Sequence, residues 1–407
     1  MPLPILVQKF GGSSVADEEK ILKVAQRVVA AKERGFDVVV VVSAMGKTTD
    51  NLLAQARRLH PDPPRRELDM LISVGERISM SLLSMAIQHK GYDAISFTGS
   101  QSGIITNDRH SDARIIEVRP FRIQDELARG RIVIVAGFQG MSYRREITTL
   151  GRGGSDTTAA ALAAALGGDC EIYGDVDGVY SADPRVVDQA QHIPELGYQE
   201  MQEMAESGAK VLNASCVEFA KEKGIAIFVR QSDGVGSQTL VRKDAPRLPG
   251  VVVGVAHEES VCVISMPGAA RDQDSGLLDF LDEHQVTGKQ LSILHADTGH
   301  AFTVAVSREF MADPAYFRAL LAARFGASAK IWSELGAVSL IGAAINQNFK
   351  NLRRALAILA GEQIHPTWLH TSSFRITFLL PAKDVRAAVG ILHRHFIEEA
   401  HQQQKTI

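Results

Sequence analysis

Three glycine-rich turns hold most of the residues in this chain that could do chemistry. The first, Gln8-Lys9-Phe10-Gly11-Gly12-Ser13-Ser14, follows a short apolar run and precedes a helical pattern. Glycines there let backbone N–H groups approach phosphate oxygens, and a helix N-terminus adds a field that favours an anion. Lys9 puts a positive charge at the end of the predicted strand, although Gly-Gly-Ser also makes ordinary turns. The spacing is not that of a P-loop, in which two glycines separated by four residues are followed by Lys and then Ser or Thr. The second turn, Gly151-Arg152-Gly153-Gly154-Ser155-Asp156-Thr157-Thr158, stands directly before an alanine-rich helical stretch. Ser155 or Asp156 could serve there as nothing more than an N-cap. An Arg and an Asp in one such turn, beside another that carries a Lys, are hard to explain by capping alone. The third element, Gly174-Asp175-Val176-Asp177-Gly178-Val179-Tyr180-Ser181-Ala182-Asp183-Pro184-Arg185, has acidic residues that suit a turn or a metal loop. EF-hand spacing fails, because no glutamate falls at the last ligand position.

The elements that must position these turns alternate between strand and helix. Ile5 to Gln8 reads as a strand, Glu18 to Lys32 as a helix capped by Asp17, and Val38 to Val42 as a strand buried on both faces. A helix from Glu67 to His89 follows, then strands at Ala94 to Phe97 and Ile132 to Ala136. Ser155 to Leu166 reads as a helix, Glu171 to Tyr173 as a strand, and Gln199 to Ala205 and Ala209 to Lys221 as helices. Ile225 to Val229 closes the series. This is the rhythm of an α/β domain, a mostly parallel sheet sandwiched by helices, with ligands at the carboxyl ends of its strands. Gln231 to Gly250 has the Gly, Ser, Asp and Pro content of a linker. Beyond it the pattern changes to two α+β modules with a βαββαβ rhythm. The predicted organisation is a catalytic domain over 1–232, a linker over 233–249 and a two-module domain over 250–407.

Composition narrows the classes. A chain of 407 residues with 45% hydrophobic and 22% charged residues is that of a globular protein of two or three domains. A formal net charge of −3 argues against a broad nucleic-acid-binding surface. Cys170, Cys216 and Cys262 lack metal or redox spacing and read as buried apolar residues in a reducing compartment. No leader pattern and no apolar run long enough to span a bilayer are evident, so the expectation is a cytoplasmic protein without membrane partners.

Seven segments in register carry a family resemblance. They are Lys9 to Ser14, Val42 to Gly46, Gly75-Glu76-Arg77-Ile78-Ser79, Phe97 to Gln101, Ala136 to Gly140, Thr148 to Asp156 and Asp175 to Arg185. Together they resemble the signatures of the aspartokinases, across roughly residues 1 to 232, and the tail resembles the tandem ACT modules of that family. The resemblance implies the amino-acid kinase fold and transfer of the ATP γ-phosphoryl group, with Mg²⁺, to the β-carboxylate of L-aspartate. The product would be 4-phospho-L-aspartate, a first step toward lysine, threonine and methionine. A carboxylate nucleophile is already ionised at neutral pH, so no general base is needed. The enzyme must instead bring two anions together and neutralise the moving charge.

The resemblance also implies roles. Lys9 would contact the transferring group and Asp156 would organise the phosphate site, with Phe10, Gly11 and Gly12 beside the nucleotide. Lys210 would add charge, although by itself it reads as a solvated helical lysine. Glu76 would take the substrate ammonium and Arg152 its carboxylate, with Ser43, Thr49 and Ser155 as hydroxyl contacts. Gly174, Asp175, Tyr180, Ser181, Asp183 and Arg185 would frame the base and ribose. A homodimer or larger assembly through the ACT modules is implied. Those modules depart from the family pattern for lysine or threonine control. The first turn reads Asp272-Gln273-Asp274-Ser275-Gly276, the following strand ends in Ile293-Leu294 where amides are expected, and Phe349-Lys350 replaces the second turn. Two alternatives stand beside this reading: a glutamate or acetylglutamate kinase of the same fold, and a non-catalytic ACT sensor.

Overall fold

The computed structural model describes residues 3–399 except 152, 235, 247, 268–270, 285, 287, 297–298 and 309–313; for 271–274, 294–296 and 299–300 it describes the backbone alone. The chain forms two compact units. The first holds the chain up to Val179, then His192–Ala205 and the stretch from Lys210; the second holds Tyr180–Gln191, Glu206–Ala209 and the chain from Leu248 on.

In the first unit the runs of Val and Ile become an eight-stranded sheet. Its order is Glu195–Gly197, Gln238–Arg242, Ile227–Gln231, Asp169–Gly174, Ile5–Phe10, Asp37–Val42, Ile132–Ala136 and Ala94–Phe97. All neighbours run parallel except Ile227–Gln231 against Gln238–Arg242. Val38 to Val42 are fully buried, as a strand covered on both faces requires. Helices Glu18–Glu33 and Val74–His89 cover one face through a core that includes Phe10, Val40, Leu83 and Ile134. A smaller four-stranded sheet orders Ile115–Val118, Ile104–Thr106, Gln139–Ser142 and Ile147–Thr149.

Four sequence expectations need correction. The helix expected from Glu67 to His89 is two helices, Arg65–Ile72 and Val74–His89. Ser73 closes the first by donating its N–H to Asp69 O at 3.1 Å, while its own carbonyl accepts the Gln139 side-chain amide at 2.9 Å. By length and composition Arg65–His89 could cross a bilayer, contrary to the expectation that no run is long enough. Half of its most apolar window is buried in the fold, and it carries the buried acids Asp69 and Glu76, which marks it as core. The helix expected from Ala209 starts at Ala214, because Asn213 caps it by accepting Ser215 N–H at 2.9 Å, which leaves Lys210 in an exposed turn. The stretch read as linker contributes the strand Gln238–Arg242.

In the second unit the two predicted modules share one antiparallel sheet. The order is Gly288–Ala296, Gly299–Ser307, Gly254–Pro267, Lys330–Ile341, Arg375–Pro381 and Trp368–Thr371. The two long central strands join the modules. Each module keeps its own core: one gathers Ile264, Phe280, Phe302 and Leu321, the other Val338, Leu359, Phe378 and Val389.

Candidate active site

Adjacent parallel strands carry two of the three glycine turns to one edge of the main sheet. Strand Ile5–Phe10 pairs in register with Asp169–Gly174, Lys9 opposite Ile172 and Phe10 opposite Tyr173. The turns that follow are stitched together. Ser13 donates to Asp175 Oδ1 at 2.5 Å, Gly11 N–H to Tyr173 O at 3.3 Å, and Ser232 hydroxyl to Gly174 O at 2.8 Å. Gly12 lies so close to the next turn that a Cβ would stand 2.8 Å from Ala44 O, which only glycine permits.

The second turn, Gly151 to Thr158, meets the first through charge. Lys9 Nζ lies 2.5 Å from Asp156 Oδ1, and both side chains are nearly buried. Asp156 sits in the first turn of helix Gly154–Leu166, whose N-cap is Gly153 in the left-handed region at φ 68° with no side-chain cap. The capping explanation for Ser155 and Asp156 therefore fails. Asp156 is turned to Lys9 instead, and Ser155 is 7% exposed and packed on Gly137, where a Cβ would stand 2.7 Å from its Oγ.

Glu76, in the first turn of helix Val74–His89, is 3% exposed. Its Oε1 accepts Ala44 N–H at 3.1 Å, and its buried Oε2 has no hydrogen-bond partner among the described residues. Burial pushes its carboxyl up to about 7, against the weaker opposing pull of backbone N–H groups. The same loop holds Ser43, whose N–H donates to Phe10 O and whose carbonyl accepts the Ser79 hydroxyl. Thr49 follows in the first turn of helix Thr48–Leu59. Lys9, Ser43, Glu76, Ser155 and Asp156 thus belong to elements that meet along one edge of the sheet.

Other expected contacts are placed differently. Phe10 is fully buried and stacks on Tyr173 at 4.7 Å between ring centroids, so its side chain serves the core. Tyr180, Ser181, Asp183 and Arg185 belong to the second unit. There Ser181 is 2% exposed and bonds to His393 Nε2 at 2.8 Å. Asp183 holds Arg185 in a two-pronged pair at 3.0 and 2.7 Å, which lowers the Asp183 carboxyl pKa. Arg152 lies outside the described residues, and so does the side-chain detail of Asp272 to Asp274. Among the described residues no three His, Cys, Asp or Glu converge as a metal site.

Sequence reasoning missed several buried carboxylates, Glu171 and Asp69 among them. Glu171 accepts from Gln8 at 2.8 Å, Tyr173 OH at 2.8 Å and Arg230 at 2.5 Å. Gln8 follows the apolar run Ile5 to Val7 and Glu171 stands between Cys170 and Ile172, and a polar residue at such a strand position was the available signal. Asp69, fully buried in helix Arg65–Ile72, reads from sequence as an ordinary helical charge.

Comparison with known proteins identifies the family. Residues 4–231 match the model of the amino acid kinase family. The aspartokinase of Mycolicibacterium smegmatis is 44% identical over 407 residues, covering 97% of this chain and 96% of that one. Aspartokinase III of E. coli in complex with aspartate and ADP, in its R-state, superposes with a TM-score of 0.80. It is 25% identical and covers 96% of this chain and 99% of its own. The same enzyme with lysine and aspartate, in its T-state, gives 0.75 over 97% of this chain and 99% of its own, again at 25% identity.

Proposed function

This chain belongs to the amino acid kinase family and, within it, to the aspartokinases, and we propose that it grips aspartate at both α-groups while Lys9 and Asp156 organise the phosphoryl group in transit. The reaction is transfer of the γ-phosphoryl group of ATP to the β-carboxylate of L-aspartate, giving 4-phospho-L-aspartate on the way to lysine, threonine and methionine. Neither the glutamate-kinase nor the sensor alternative is favoured by relatives of this kind.

One observation carries the assignment of roles: Glu76 Oε2, a buried carboxylate oxygen without a partner among the described residues. Such a group is costly to bury unless a ligand completes it, and an ammonium is the natural complement. Arg152 would clamp the α-carboxylate at the other end. Ser43, Thr49 and Ser155 would supply hydroxyls. The β-carboxylate would then point toward Lys9, whose charge beside the Gly11-Gly12 turn offsets the negative charge of the transferring group. Asp156, at 2.5 Å, holds the Lys9 ammonium in place and leaves its remaining protons for phosphate oxygens. Mg²⁺ would arrive on the ATP phosphates as part of the substrate, which suits a site with few dedicated metal ligands. Gly174 and Asp175 would lie beside the nucleotide, with Lys210 adding charge from its turn. We further propose a cytoplasmic homodimer or larger assembly formed through the second unit.

An assay of ADP release over a panel of amino acids tests the reading. L-aspartate should be phosphorylated well and L-glutamate poorly, because one extra methylene misplaces the nucleophilic oxygen once both α-groups are fixed. Comparable kcat/KM for the two would sink the assignment.

A further inference from the structure

Asp69 is a buried acid for which this mechanism has no use. It lies in the last turn of helix Arg65–Ile72, fully buried, and its carboxylate is saturated with donors. The Thr149 hydroxyl reaches it at 2.6 Å, Ser111 N–H at 3.0 and 3.1 Å, and His110 Nδ1 at 2.7 Å. An ionised carboxylate carries no hydrogen, so His110 must donate through Nδ1–H. Taking such a group out of water costs several kcal/mol before its bonds are counted, and an apolar residue would close the helix on its neighbours more cheaply.

What each partner leads to suggests why the charge is there. Thr149 ends a strand, and two residues later the chain enters the Gly151 turn that carries Arg152 and Asp156. The loop bearing His110 and Ser111 packs on the same place. Ala113 N–H donates to Thr149 O at 2.8 Å, and a Cβ on Gly151 would stand 2.9 Å from Asp112 Oδ1. On the other side, the Asp69 carbonyl accepts Ser73 N–H, and Ser73 opens directly into the helix whose first turn holds Glu76. One residue is therefore bonded, through its backbone to the arm that carries Glu76, and through its side chain to the arm that carries Arg152.

We propose that Asp69 is a positioning residue that sets the span between Glu76 and the Gly151–Asp156 turn, and with it the length of amino acid the site accepts. The proposal rests on the roles given above to Glu76 and Arg152. A misplacement near 1 Å at a positioning group is enough to change reactivity by about 10²-fold. A merely structural acid would lower stability and degrade both substrates' constants together.

The test is steady-state kinetics on Thr149→Val, which keeps the shape but removes a donor, beside Thr149→Ser, which keeps the hydroxyl, with Asp69→Asn and Arg152→Ala in parallel. Thr149→Val and Asp69→Asn should raise the aspartate KM roughly 10- to 100-fold and narrow the preference for aspartate over glutamate, with little change in the ATP KM. Thr149→Ser should stay near the parent enzyme. If Arg152→Ala raises the aspartate KM while folded Thr149→Val and Asp69→Asn do not, the positioning role is wrong and the site reading stands. If Arg152→Ala leaves the aspartate KM unchanged, the site reading falls and the inference with it. Equal damage to both substrates' constants, or loss of fold in both variants with Thr149→Ser intact, assigns Asp69 to stability alone and overturns the proposal.

Discussion

Lys9 and Glu76 differ in how their charge is managed, and each difference predicts a measurement. Lys9 is compensated in the free protein by Asp156 at 2.5 Å, so the cation is preorganised before the nucleotide arrives. Replacing it by Met removes a charge that acts on the transferring group. Lys9→Met should therefore lower kcat by roughly 10²-fold or more, while the fold survives. Near-normal turnover would show that the phosphate site lies elsewhere. Glu76 is uncompensated, and burial raises its pKa from 4.5 to about 7. Between those values the folded state holds a proton that the unfolded state has lost. Stability contributed by the protonated group is thus lost as pH rises from about 4.5 to about 7. Binding of the substrate ammonium favours the ionised form, so the apparent KM for aspartate should fall as pH rises toward and through about 7, then level off. Glu76→Gln should show a raised KM with no such slope. A wild-type KM that is flat between pH 6 and 8 on the order of one pKa unit either side of neutrality would remove Glu76 from the ammonium site.

Elements owe their placement to packing that a residue count does not reveal. Gly137 follows strand Ile132–Ala136, and a Cβ there would stand 2.7 Å from Ser155 Oγ and 2.8 Å from its Cβ. Gly137→Ala should push the start of helix Gly154–Leu166 away from the sheet, destabilising the protein by about 1–3 kcal/mol and weakening Lys9–Asp156 alignment. Thermal denaturation and kcat of that variant measure the two effects; an unchanged kcat with a lowered Tm would confine Gly137 to packing. The same logic explains which elements were legible. Val38 to Val42, the alanine-rich helix and the glycine turns are local patterns, and the structure keeps them with small changes at their ends. The break at Ser73 was invisible because the group that engages its carbonyl, Gln139, lies 66 positions away. Lys210 looked helical because its neighbours have helical residues, yet Gly208 at φ 103° and the Asn213 cap start the helix later. Lys9, Asp156 and Glu76 could be nominated from turn chemistry and resemblance. Asp69 could not, because its partners His110, Ser111 and Thr149 are brought to it by the fold alone.

At the scale of the whole molecule the question is whether the second unit can hold an amino-acid effector; E. coli aspartokinase III is known in complex with lysine and aspartate in its T-state. An effector pocket must satisfy an ammonium and a carboxylate away from water, and leaving either unpaired costs several kcal/mol. Several of the groups that could do this are already engaged. Asn346 donates its side-chain amide to Ser372 O and Arg375 O. Asn348 Oδ1 accepts Lys350 N–H at 2.9 Å at the start of helix Lys350–Gly361, where Phe349 is 73% exposed. In the first module Ile293 is 49% exposed on the strand where a side-chain amide would otherwise face an effector. Lysine and threonine, singly or together, should therefore inhibit weakly or not at all when titrated at aspartate near its KM. One group points the other way: Gln290 Oε1 is buried with no hydrogen-bond partner among the described residues, and it could accept an ammonium. Half-inhibition by either amino acid at sub-millimolar concentration, lost in Gln290→Leu, would place a working effector site on that strand. Sub-millimolar inhibition that survives Gln290→Leu would place it elsewhere, and in both cases the expectation of weak control would be wrong.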